Sequence, residues 1–156
     1  MTVRLHFDEE ESAEAGDRAR NPSSYDGGIL EYAFFERQIH FIVSGRDLAP
    51  RRKIALLAFG PVGLLTLALA ERSGRARLRL DGGDFYFEYG DETLTIRSDR
   101  LKIAVHAPFR DVSLAWQEFC EAVRQYLLLS FPELKSHAFL GGWLAEKGLP
   151  PRHVYP

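Results

Sequence analysis

Residues 75–106 read RARLRLDGGDFYFEYGDETLTIRSDRLKIAVH. Arg75, Arg77 and Arg79 alternate with Ala76, Leu78 and Leu80, the period-two pattern of a strand with one charged and one apolar face. Asp81-Gly82-Gly83-Asp84 marks a turn, because glycine accepts positive φ and aspartate bonds its own backbone. Phe85, Phe87 and Tyr89 then share one side against Asp84, Tyr86 and Glu88, and Gly90-Asp91-Glu92 reverses the chain. Leu94 and Ile96 point inward against Thr93, Thr95 and Arg97. After Ser98-Asp99-Arg100, Leu101, Ile103 and Val105 oppose Lys102, Ala104 and His106. Loops this short predict a four-stranded antiparallel meander, since a parallel crossover needs about a dozen residues.

Such a sheet has one apolar side to bury, and the next stretch supplies the cover. Pro108 separates the meander from a helix for which Asp111 is the candidate N-cap. Val112, Ala115, Trp116, Phe119, Val123, Tyr126 and Leu127 follow the spacing of a buried helical stripe, leaving Gln117, Glu118, Glu121, Arg124 and Gln125 toward water. The fold class expected is α+β: mainly antiparallel sheet, with a buried helical insertion and C-terminal helices on its apolar face.

Upstream, Val3, Leu5 and Phe7 alternate with Arg4, His6 and Asp8, predicting a first strand at the edge of the same sheet. Residues 9–24 are polar, hold Gly16 and Pro22, and predict a flexible surface loop with at most a helical turn over Ser12 to Arg20. Ile29 to Phe35 and Gln38 to Ser44 predict a strand hairpin around Glu36-Arg37. Ile54 to Ala70 is seventeen residues without a charge, short of the roughly 20 a membrane span prefers and broken by Gly60, Pro61 and Gly63. A buried helix or helix pair is expected, with Pro61 opening the second helix. A membrane span and a self-association surface are the alternatives for this segment.

Downstream, Pro132 starts a short helix with Leu134, Ala138 and Phe139 inward. Gly141-Gly142 ends it, and Trp143, Leu144 and Leu149 pack before a proline-rich tail. The 156 residues fit one compact domain. A hydrophobic fraction of 46% with 27% charged residues argues against disorder. The formal net charge of -2 gives no support to non-specific nucleic-acid binding. Charge is nevertheless uneven. Asp8, Glu9, Glu10, Glu11, Glu14 and Asp17 crowd one segment, whereas arginines dominate the middle. Cys120 is alone on an apolar helix face, so it reads as a packed thiol. With no positive leader and apolar run at the N-terminus, the expected location is cytoplasmic.

The sequence holds no HExxH, zinc-finger spacing, GxSxG elbow or phosphate-binding loop, and so no cofactor is expected. If the first strand joins the meander, His6 and Asp8 would approach His106 as a metal or acid-base group. The larger expectation is a partner-binding surface on the outer sheet face, formed by Arg75, Arg77, Arg79, Tyr86, Glu88, Arg97, Lys102 and His106. Arginine offers directional bonds to carboxylates, and tyrosine offers contact area at low entropy cost. The function expected is stoichiometric binding of a protein partner without bond chemistry. No diagnostic motif identifies a family. The arrangement is similar to that of many small bacterial accessory proteins, immunity proteins among them, an analogy of architecture alone. A small-ligand or catalytic domain is the alternative, and would need a concave pocket of convergent polar groups.

Overall fold

A computed structural model describes residues 3–81, 83–99, 101 and 104–146. The meander forms in the expected order: β6 (Arg75–Leu78), β7 (Phe85–Gly90), β8 (Thr93–Ser98) and β9 (Val105–Pro108) are antiparallel neighbours. Leu78, Phe85, Phe87, Leu94, Ile96 and Ala107 are buried on one face. The last strand begins later than its alternation suggests, and Lys102 and Ile103 lie outside the described residues.

The first strand, β1 (Val3–Phe7), does not join this sheet. It pairs with β3 (Ile39–Val43), which in turn pairs with β4 (Arg46–Asp47), giving a separate three-stranded sheet. A third ladder joins β2 (Glu36–Arg37) to β5 (Ile54–Ala55). Residues 9–24 are not simply a loop: α1 spans Glu11–Ala19, and a 3-10 turn follows at Pro22–Ser24. Their polarity reflects a helix lying on the surface, in which Asp17 alone is buried.

The expected hairpin fails in its first half, where α2 (Gly27–Ala33) forms instead. Asp26 caps it, its carboxylate accepting the Ile29 N–H at 3.0 Å. Leu30 and Phe34, one turn apart, are fully buried, while Tyr32 is exposed. The apolar segment therefore follows a helical period.

Ile54 to Ala70 forms the two residues of β5 and then a single helix, α3 (Leu56–Ser73), running through Pro61 rather than starting there. By length and composition α3 could cross a membrane, yet 56% of it is buried within the fold. It packs on α4 (Phe109–Ser130) and on β6 and β7. Proline deletes one rung of the helical ladder. Next to it the Trp116 indole N–H donates to the carbonyls of Phe59 and Gly60, at 3.1 and 3.0 Å. Trp116 stacks on Phe59 with centroids 4.7 Å apart and meets Phe41 and Phe87 edge-on at 5.2 and 5.9 Å. One aromatic cluster thus joins both larger sheets to both long helices.

The long helix begins before Asp111, which lies in its first turn, and holds the expected buried stripe. Arg124, expected toward water, is only 5% exposed. Its Nη1 donates to the Leu144 carbonyl at 2.6 Å and its other nitrogens to Glu121. The chain then makes a 3-10 turn at Pro132–Ser136 and α5 at Gly141–Glu146, so Gly141 opens a helix rather than ending one. Among the described residues helix outnumbers strand, and "mainly sheet" gives way to mixed α+β.

Candidate functional site

Antiparallel register builds the outer face of the four-stranded sheet. Arg75 lies opposite Glu88, Glu88 opposite Thr95, and Thr95 opposite His106, making one row across four strands. The adjoining row is Arg77, Tyr86 and Arg97. Arg75, Arg77, Glu88, Arg97 and His106 are exposed, Tyr86 is half-buried, and Arg79 is exposed just beyond β6. The structure thus brings the sequence-selected residues to one side of one sheet, Lys102 lying outside the described residues.

These side chains differ in how far they are engaged. Arg77 forms an ion pair with Asp84 and lies 5.4 Å over the Tyr86 ring. Asp84 also accepts the Leu80 N–H at 3.1 Å, so Arg77 helps hold the β6–β7 connection. His106 Nδ1 bonds Thr95 at 2.9 Å along its row. Among the described residues no ion pair engages Arg75, Arg79 or Arg97. These guanidiniums are available to a partner.

The anticipated group of His6, Asp8 and His106 does not assemble, because β1 and β9 belong to different sheets. Another histidine takes the third place. His40 sits directly opposite His6 in the β1–β3 ladder, and their rings stack at 4.7 Å with planes 25° apart. His40 Nε2 lies 2.9 Å from Asp8 Oδ2 and its Nδ1 lies 3.2 Å from Asp47 Oδ2. Asp8 foremost, with Asp47, raises the His40 pKa above the ordinary imidazole value. Asp47 is itself fixed, its Oδ1 accepting the N–H groups of Phe41 and Ala49 at 3.1 and 3.0 Å.

No family model, no curated protein and no solved structure matches the chain. Function rests on these side chains and their surroundings.

A buried polar group was illegible in the sequence. Arg37, 1% exposed, lies with Nη1 2.9 Å from Asp17 Oδ2 and donates from Nη2 to the Tyr126 hydroxyl at 2.7 Å. Asp17 Oδ1 accepts the Phe35 N–H at 3.3 Å. This ties α1, β2 and α4 together. Beside it is an open cleft of about 260 Å³ lined by Asp17, Arg20, Glu36, Arg37 and Lys53. A second, of about 380 Å³, lies between β1 and α4 and is largely apolar, with Leu5, Phe7, Ala122, Tyr126 and Leu129. Cys120 is buried, which pushes its thiol up to about 12 and away from nucleophilic use.

Proposed function

We propose that this chain is a protein-interaction module that binds one partner stoichiometrically through the outer face of the β6–β9 sheet. The observation that carries this is the register: it turns alternate residues of four strands into two adjoining rows of arginine, tyrosine, glutamate and histidine on one exposed surface. Arg75, Arg79 and Arg97 give the face a cationic character that suits an acidic partner surface, while Tyr86 adds a rigid contact area between them. The rigid sheet, backed by α3 and α4, presents these groups without ordering a loop on binding. The action is occlusion of the partner, as in an immunity-like accessory protein, with no bond made or broken.

The test begins with capture of partners from native soluble lysate, identification by mass spectrometry and determination of stoichiometry. The partner is then titrated against Arg75→Gln/Arg97→Gln, which removes both charges without setting a carboxylate opposite Glu88. The double substitution should lower affinity at least tenfold while leaving the far-ultraviolet spectrum and thermal midpoint intact. Unchanged affinity removes this face as the binding surface. Arg77 is a poor choice for that test because its pairing with Asp84 is part of the fold.

A further inference from the structure

We propose that His6, Asp8 and His40 form a site for one divalent transition-metal ion of the zinc class, with Asp47 as the positioning residue behind His40. The proposal is independent of the sheet-face function: these residues belong to the β1–β3–β4 sheet.

Three features support it. The ladder sets His40 opposite His6, and it continues one residue past β1, the Asp8 N–H donating to the Gln38 carbonyl at 3.0 Å, so that His6 and Asp8, two residues apart, share one side of the chain. One ligand atom from each residue falls within 4.8 Å of the others. A tetrahedral ion with bonds of roughly 2.0–2.2 Å holds its donors somewhat closer than that. The His40–Asp8 pair at 2.9 Å must open slightly to admit the ion while the wider separations close, small side-chain rotations that Asp8, its side chain 58% exposed, makes most freely.

The second feature is the environment of His40. Each ring nitrogen faces a carboxylate oxygen, Asp8 at Nε2 and Asp47 at Nδ1. With the Nδ1 N–H donating to Asp47, the Nε2 proton that His40 shares with Asp8 is the one an incoming cation displaces, and the ion then takes a lone pair from each. Metal-binding imidazoles generally have such an outer carboxylate, which fixes the tautomer and strengthens the ligand. Asp47 is held by two backbone N–H groups, so it offers His40 an oxygen whose position is already set.

The third is ligand chemistry. Two imidazoles and one carboxylate suit zinc, nickel or copper, whereas calcium and magnesium select all-oxygen sets. Three protein ligands leave a coordination position for water, and the exposure of His6 and Asp8 gives an ion direct entry.

The experiment is calorimetric titration of the full, untagged, chelator-treated chain with Zn²⁺, paired with Co²⁺ absorption as a report of coordination geometry. One Zn²⁺ per chain is expected. His6→Ala, His6→Gln and His40→Ala should each weaken binding at least tenfold, while His106→Ala/His153→Ala retains it. Asp47→Asn keeps an oxygen acceptor for the backbone, so it should lower affinity about ten- to a hundredfold with stoichiometry and metal-free thermal midpoint unchanged. Absence of one-to-one binding, or affinity that survives both His6→Gln and His40→Ala in folded protein, overturns the proposal.

Discussion

Gly63 and Trp116 are in direct contact across the α3–α4 interface, so close that a Cβ on residue 63 would lie 2.5 Å from the indole Nε1. The indole cannot retreat without giving up its bonds to Phe59 and Gly60. In an ordinary helix interior, glycine to alanine is favourable by about 1 kcal/mol. Here the sign reverses: Gly63→Ala should cost about 1–3 kcal/mol through overpacking. Gly16 in α1 has nothing within 4 Å of its would-be Cβ, and Gly16→Ala should stabilise by about 0.5–1 kcal/mol. Urea denaturation of the two variants checks the opposed signs.

The buried Arg37 cannot lose its carboxylate cheaply. Asp17→Ala leaves a desolvated guanidinium with its opposing charge removed, and should destabilise by about 3–5 kcal/mol. Tyr126→Phe deletes a hydroxyl that accepts from Arg37 and donates to Glu14, and should cost about 1.5–3 kcal/mol. Because both act on Arg37, the double variant should lose less than the sum of the single losses, which a denaturation double-mutant cycle measures.

Glu31 sets a pH dependence. It is 2% exposed on α2, and burial pushes its carboxyl up to about 8 from an ordinary 4.5. Between those values the folded state retains a proton that the unfolded chain releases. Its contribution is therefore full below pH 4.5 and is lost as pH rises through about 8. Glu31→Gln should match the parent in acid and exceed it by on the order of a few kcal/mol above that range. Chemical denaturation across pH tests this; a parallel decline in both proteins would contradict it.

Cys120 should report opening of the core. With its thiol buried and its pKa pushed up to about 12, alkylation of the folded chain should be slow. The rate should climb in step with the unfolding transition as urea is added. Rapid labelling of fully folded protein would mean that α3 and α4 separate locally.

The meander was legible because alternation and tight turns act within a few residues. Ile29 to Phe35 is not, since it is apolar enough to satisfy either period; the signal that marks it as helical is Asp26, three residues before Ile29, whose carboxylate accepts the Ile29 N–H. Arg124 was also readable in principle, lying four residues after Cys120 on the buried stripe, but an arginine there makes sense only once the Leu144 carbonyl is known to meet it. The outer sheet face follows from local alternation. The neighbour of His6 does not: whether β1 meets His40 or His106 depends on which sheet it enters. The Asp17–Arg37–Tyr126 group joins distant chain segments, and no local pattern marks it.

Phe7 on β1 rests against Phe119 and Tyr126, with ring centroids 5.7 and 5.4 Å apart. These contacts join parts of the chain that leave the ribosome far apart in time. While synthesis proceeds, the apolar side of β1 waits uncovered until α4 has emerged, and Arg37 waits with it for the Tyr126 hydroxyl. The N-terminal strand is thus made early and packed late. In that interval the nascent chain leaves Phe7 without its aromatic neighbours, and a synthesis pause before α4 would prolong that exposure.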